Sequence, residues 1–290
     1  MDDFPFHSQQ LAYLREVERT RTFTEAAARL HVSQPALSQA MAELERRVGL
    51  PLFERRGRLR VLTDAGREAA RFASEVLGRA AEFRAWTEAY REGGAGTLTV
   101  GMIDAASLYT LPDAVRRFRG AYPGVELRLV VDTSTELADR LRRYELDLAF
   151  IVGPAPSDLE AVEVGREPLH IYAPAGSSQD PRAAVDADWV LYPAGSHTRQ
   201  QIDEGLATLG IVPRVTLESH NPAILRQMVA LGFGWSVLPP AVVEAAPDAG
   251  IDRRDRVAER ILVGARRRSA TADPRALAFI EIAADARVQA

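Results

Sequence analysis

FTEAAARLHVSQPALSQAMAELERRVGLPLFERRGRLRVLTDAG, residues 23–66, sets two helix-capping residues, a two-residue gap and an arginine-rich pair of short apolar runs close together. Thr24 and Ser33 belong to the types whose side-chain oxygen accepts a backbone N–H at a helix start. Each follows an apolar residue, Phe23 and Val32, able to staple the entry. They predict two helix starts. Ala26, Ala27 and Leu30 give the first helix a small apolar face, and His31-Val32 leaves almost no slack before the second. Helices joined this tightly cross steeply. The second carries Leu37, Met41, Leu44 and Val48 along one face and ends at Gly49. Beyond it, residues 52–54 and 59–62 flank Arg56-Gly57-Arg58 as the arms of a β-hairpin. Upstream, Leu11, Leu14 and Val17 recur at helical spacing and add a third helix to the small core. Three helices and a hairpin in this order are the pattern of a winged helix-turn-helix.

Charge supports a DNA-binding reading only when it is divided along the chain. The net charge of −4 is unhelpful, but residues 1–92 hold 15 arginines against 14 acids, and the remainder 21 against 26. Within the first part, residues 46–60 carry six arginines and one acid, Glu54. Phosphate attraction needs such a local patch rather than a basic protein. Every basic residue in the chain is arginine, a trait of composition to which no function is attached.

A helix is predicted from Thr63-Asp64 to the glycines at 93–94, about 28 residues or roughly 42 Å at 1.5 Å per residue. Ala69, Phe72, Val76, Ala80, Phe83 and Tyr90 recur along it with a period near 3.5, the spacing of a coiled-coil seam. A winged domain of about 60 residues offers too little apolar surface to cover it, so a second copy is the expected partner. After Gly96 strands and helices alternate. Strands are expected over 98–102, 125–131 and 146–152, with helices over 111–122 and 134–143. A second set follows, with strands over 169–173, 189–192, 215–217 and 235–238, and helices over 198–209 and 222–231. A late strand at 261–263 and a helix at 274–282 close the series. This is an α/β pattern with a parallel sheet, and two such units imply a small-molecule cleft between them.

With 290 residues the chain exceeds one DNA-binding module, and two or three domains are expected. The absence of cysteine excludes disulfides, thiolate catalysis and cysteine-ligated metals. No apolar run approaches the roughly 20 residues of a membrane helix, and MDDFPFHSQQ lacks the basic-then-apolar order of a signal peptide. A cytoplasmic protein without membrane association is expected.

The run F..LAYL..V..T..FT.AA..L..SQPALSQ....LE...G..LFER....V.LT.AG from Phe6 to Gly66 resembles, in identity and spacing, the DNA-binding pattern of LysR-type transcriptional regulators. The segments GMIDAASLYTLP, AYPGVELRLVVDTSTELADRLRRYELDLAF and MVALGFGWSVLP resemble the effector half of the same family, so the likeness covers nearly the whole chain. It implies an α+β and α/β multidomain protein. Residues 1–62 would form the winged helix-turn-helix and 63–92 a linker helix for dimerisation. Residues 97–290 would form a periplasmic-binding-protein-like effector domain, with subdomain I at 97–167 and 266–290 and subdomain II at 168–265. It also implies a homodimer or dimer of dimers on double-stranded DNA, ligand shifting the arrangement, no enzyme activity and no cofactor.

In a helix-turn-helix the start of the second helix enters the major groove. Here that is Ser33, Gln34, Pro35, Ser38 and Gln39, with Gln34 the candidate for a bidentate adenine contact. Many relatives carry a basic residue where Gln39 stands, which shifts the phosphate contacts toward Arg55, Arg56, Arg58 and Arg60 in the wing.

By resemblance the effector sits between the two α/β units, held by turns and helix starts whose unpaired N–H groups favour carboxylates. The candidates are Asp104, Ala105 and Ser107 after the first strand and Thr133 and Ser134 after the second. Ser196, His197, Thr198 and Arg199 open a later helix, and Asn221 caps another with Pro222 at its first position. Ala105 stands where many relatives place a hydroxyl, and Asp104 beside it adds a negative charge. An effector with an ammonium group, such as an amino acid, then suits the site as well as a simple carboxylate, unless Asp104 or Ser107 only caps the next helix.

His197 and His220 lack the carboxylate spacing of a metal site, and Asp132, Ser134 and His197 lack the nucleophile elbow of a hydrolase. Two other readings stand beside the regulator: a cytosolic α/β small-molecule-binding protein whose N-terminal helices serve assembly, and a constitutive DNA-architectural protein without an effector.

Overall fold

The computed structural model describes residues 7–288 apart from 21, 57–58, 92–94, 178–179, 181–186, 247–249 and 269–272. The chain divides into two units, Met1–Ala85 and Trp86–Ala290.

In the first unit α1 (Ser8–Arg19), α2 (Phe23–Arg29) and α3 (Gln34–Val48) enclose a core of Leu11, Leu14, Phe23, Ala26, Leu37, Met41 and Leu44. The hairpin follows as β1 (Phe53–Arg56) and β2 (Leu59–Leu62), paired antiparallel with Phe53 opposite Leu62 and Arg55 opposite Arg60. One predicted cap moves. The N-cap of α2 is Thr22, whose hydroxyl accepts from Glu25 N at 3.2 Å, and Thr24 lies inside the helix. The reason is Phe23: its ring is buried and meets Phe53 edge-on at 5.1 Å, which requires it in the first turn rather than before it. Ser33 caps α3 as expected, accepting from Ala36 N at 3.3 Å. The turn between them closes because His31 adopts a left-handed backbone, φ 54°.

Helix α4 (Asp64–Arg91) starts beneath Thr63, whose hydroxyl accepts from Gly66 N and donates to Pro51 O. Its first half is covered by its own domain: Ala70 and Ala73 are buried, and Ala69, Phe72, Val76 and Leu77 pack against the same core. The seam expected along the whole helix therefore divides. Phe83 is 62% exposed, and the side chain of Tyr90 lies outside the described residues.

The second unit runs β3 (Gly96–Met102), a π-helical turn at Ala106–Thr110, α5 (Pro112–Ala121), β4 (Val125–Val131), α6 (Ser134–Arg142) and β5 (Leu148–Val152). It continues with β6 (Leu159–Pro174), β7 (Asp188–Leu191), α7 (His197–Thr208), β8 (Arg214–Glu218), α8 (Pro222–Ala230) and β9 (Ser236–Leu238). The last elements are α9 (Pro240–Glu244), β10 (Ile251–Arg267) and α10 (Pro274–Val288). Six strands lie in the order β4-β3-β5-β10-β6-β9, and β7 and β8 form a separate parallel pair. The large sheet is mixed rather than parallel. β3 is parallel to β4 and β5, but β10 runs antiparallel to both β5 and β6.

β6 and β10 are long, 16 and 17 residues, and pair antiparallel from Leu159 opposite Arg267 to Pro174 opposite Ile251. They pass through two lobes. One core gathers Phe118, Phe150 and Phe279, with Phe118 and Phe279 stacked at 4.6 Å; the other surrounds Trp189 and Trp235, ring centroids 6.0 Å apart. The lobe boundaries expected after residues 167 and 265 fall inside these strands, not in loops.

Candidate functional site

The exposed face of α3 begins at its N-cap. Ser33, Gln34, Pro35 and Gln39 are exposed and Ser38 is half-buried, while Leu37 and Met41 on the opposite face are fully buried. Gln34 Nε2 donates to Ser38 Oγ at 2.8 Å. That bond takes one of the amide's two N–H groups and does not involve its carbonyl.

The arginine patch is smaller than its sequence suggested. Glu43 takes Arg46 and Arg47, whose hydrogen bonds lower its carboxyl to about 2. Glu45 Oε1 accepts from Leu52 N at 2.8 Å and Phe53 N at 3.0 Å, and Oε2 pairs with Arg60 at 3.1 Å. Arg60 also lies over the rings of Phe23 and Phe53, 5.1 and 5.0 Å from their centroids. It ties the hairpin to α2 and α3, a task different from the phosphate contact expected of it. The window from residue 46 to 60 missed Glu43 and Glu45 because they lie just upstream, within one helical turn of Arg46 and Arg47. Arg55 is exposed; the Arg56 side chain and Arg58 lie outside the described residues.

A cavity of about 390 Å³ opens in the second unit. Segments that lead into helices supply most of its lining, with Val152 of β5 and Arg260 of β10. Ile103, Asp104 and Ala105 follow β3, residues 132–135 enter α6, and residues 192–198 enter α7, with His220 before α8. The caps are spent on their own helices. Thr133 Oγ1 accepts from Glu136 N at 3.3 Å, Ser196 Oγ from Arg199 N at 3.2 Å and Asn221 Oδ1 from Ala223 N at 2.9 Å. Ser134 Oγ accepts from Val152 N at 3.1 Å, joining the second turn to β5 and keeping its own proton to donate.

Of the expected effector residues, Asp104, Ala105, Thr133, Ser134, Ser196, His197 and Thr198 line the cavity, whereas Ser107, Arg199 and Asn221 do not. Ser107 Oγ donates to the Asp104 backbone carbonyl, and the π-helical turn has Ala105 at its N-cap position with no side-chain cap. Arg199, 11% exposed, is held by Asp203, Glu218 and the Tyr192 carbonyl at 2.8–2.9 Å, which fixes the loop behind the cavity. His197 packs on Gly153, where φ is 95° and a Cβ would fall 2.2 Å from the ring. Burial lowers the His197 pKa, and Glu204 opposes the shift.

Burial raises the Asp104 pKa, Asp132 adds to the rise, and His220 opposes it. His197 and His220 share the cavity, but among the described residues no three metal-ligating side chains cluster. Sequence reasoning missed the floor, Tyr192 and Arg260, 5% and 1% exposed. Arg260 pairs with buried Glu167, Nε to Oε2 at 2.7 Å. Burial opposes its charge, but Glu167 and Tyr192 outweigh that and hold it protonated.

Known proteins match both parts of the chain. Residues 8–67 match the family model for the bacterial regulatory helix-turn-helix protein, lysR family, and residues 91–287 that for the LysR substrate binding domain. The transcriptional regulator CbbR of Rhodospirillum rubrum is 29% identical over 240 residues, 81% of this chain and 80% of that one. Full-length OxyR of Pseudomonas aeruginosa, solved with one cysteine replaced by aspartate, superposes with a TM-score of 0.70 at 30% identity, over 97% of this chain and 94% of that one. This chain has no cysteine to match the residue altered there. CbnR, solved with its target DNA, shares the fold at a TM-score of 0.70 and 23% identity, over 98% of this chain and all of that one. The chain is a member of the LysR family of helix-turn-helix transcriptional regulators, with a DNA-binding and an effector-binding part.

Proposed function

We propose that the chain is a ligand-responsive regulator that reads an inverted-repeat promoter site through paired copies of α3 and senses a small polar metabolite in the cavity. The observation that carries this reading is the polar, exposed start of α3, held over a core that buries its other face. Gln34 contacts bases, with Ser33, Pro35, Ser38 and Gln39 around it; Arg55, Arg56 and Arg58 hold phosphates or the minor groove. The DNA-binding domain is residues 1–62, the linker 63–92 and the effector domain 97–290. The distal half of α4, where Phe83 is exposed, meets a second copy, giving a homodimer or dimer of dimers on a two-fold site. Effector shifts the arrangement by binding one form more tightly than another. A cavity near the lower end of the range for ligand sites suits a small metabolite, acting in the cytoplasm.

The test is binding of purified protein to a panel of single-base variants of its site across salt concentrations. Gln34→Ala should reorder the panel, with changes of about tenfold or more at the contacted bases. Arg55→Ala should weaken all sites alike and lower the salt slope by about one. An unchanged order with Gln34→Ala would remove base reading from this residue.

A further inference from the structure

The segment that enters the hairpin is gripped from two sides. Residues 49–52 separate α3 from β1, and Leu50 and Pro51 among them are exposed. From one side Glu45, in the last turn of α3, turns its carboxylate onto this segment: Oε1 accepts from Leu52 N at 2.8 Å and Phe53 N at 3.0 Å, and Oε2 pairs with Arg60 of β2 at 3.1 Å. From the other side the start of α4 takes the same residues. Thr63 N donates to Leu52 O at 3.0 Å and Thr63 Oγ1 to Pro51 O at 2.7 Å, and Gly66 lies so close to the Leu52 carbonyl that no Cβ fits between them. Residues 51–53 thus tie the helix proposed to read bases to the helix proposed to pair two copies. Burial of Leu52 and Phe53 in the core fixes how deep the segment sits, but apolar burial has no direction. Hydrogen bonds to a charged acceptor do, so the Glu45 carboxylate sets the angle from the α3 side.

We infer that Glu45 is a positioning residue for DNA recognition: through residues 51–53 it fixes the direction of α4 relative to α3, and so the spacing at which a pair of chains accepts its two half-sites. This rests on the proposed reading of an inverted repeat by paired copies. The carboxylate is spent on Leu52, Phe53 and Arg60, so it acts through them rather than on a base. Adding or removing one base pair between half-sites turns one of them by about 36° around the duplex axis, and a stiff join between α3 and α4 cannot follow that turn.

The experiment measures the affinity of the full-length protein for the inverted repeat that it selects from a randomised duplex library, and for the same repeat with its half-sites one base pair closer or further apart. The unaltered chain should lose about tenfold or more on either change. Glu45→Ala, which removes the grip on both the amides and Arg60, should bring that loss below about threefold, while single-base changes within a half-site cost what they did before. Glu45→Gln keeps an acceptor for the two amides and gives up the pairing with Arg60, and should fall between the two. Val17→Ala, a core substitution on α1, should lower the unfolding midpoint and leave the spacing loss as it was, which separates position from stability. A spacing loss unchanged in both Glu45 variants overturns the inference and leaves paired reading standing. An unaltered chain indifferent to spacing, or a Val17→Ala chain relaxed as far as the Glu45 variants, does the same. Selection of no inverted repeat by the unaltered chain removes the paired reading and this inference with it.

Discussion

His31 and Asp104 show how much single residues carry, and how differently. His31 closes the turn between α2 and α3 in a left-handed conformation that costs an L-residue about 1–2 kcal/mol. Glycine relieves that strain and returns part of it as unfolded-state entropy, so His31→Gly should stabilise the protein by about 0.5–1 kcal/mol in denaturant titration. No change or a loss would mean that the imidazole has a task of its own. Asp104 has a raised pKa, so its charged form is the disfavoured one. Folding is then favoured by protonation, and this contribution fades as pH rises through the raised value. Asp104→Asn should therefore flatten this part of the fall of stability with pH, read as the midpoint of denaturant unfolding across a pH series. Both residues were visible in the sequence, His31 as the gap between capped helices and Asp104 as a charge beside the position where many relatives carry a hydroxyl. Arg260 was not. It sits in the charged run DRRDRVAER, residues 252–260, where nothing in the sequence marks one arginine for burial, and its pairing with Glu167, 93 positions earlier, holds it inside.

Among the elements, the join between hairpin and α4 is the tightest. A Cβ on Gly66 would lie 2.0 Å from the Leu52 carbonyl oxygen, backbone that cannot give way. Gly66→Ala should destabilise the first unit by about 1–3 kcal/mol, read as a lowered midpoint for that unit in thermal unfolding. Unchanged stability would mean that α4 tilts away freely. The distal half of the same helix has the reverse problem, an exposed Phe83. Phe83→Glu should shift the protein toward monomer in sedimentation velocity if this half is the dimer contact; an unaltered sedimentation coefficient would place the interface elsewhere. The seam was legible as a period of 3.5, but periodicity does not say who covers the stripe. Ala70 and Ala73 interleave with it and anchor the first half at home. In the same way the strands over 169–173 and 261–263 were recognised by their apolar runs. Their extension to β6 and β10 was hidden because charged residues such as Glu163, Arg166 and Glu259 separate the buried ones, among them Leu159, Val164 and Ala265.

On the scale of the whole molecule the order of elements decided the reading, since a capped helix pair, a hairpin, a long helix and two α/β lobes rarely follow one another by accident. The exposed polar start of α3, proposed to read DNA, was legible because it is local: Ser33, Gln34 and Gln39 are neighbours in sequence and at the start of one helix. The cavity was half legible. Its turns lie where strands meet helices, while its charged floor comes from pairing across the sheet.

The account stands or falls on whether the chain selects DNA by sequence and does so as a pair. Selection of a randomised duplex library by the full-length protein, followed by sequencing, measures this directly. The expected result is enrichment of an inverted repeat whose half-sites lie one turn of duplex apart, or a multiple of it, about 10 base pairs per turn. Recovery of no motif, or of a lone half-site without its mirror, would contradict it.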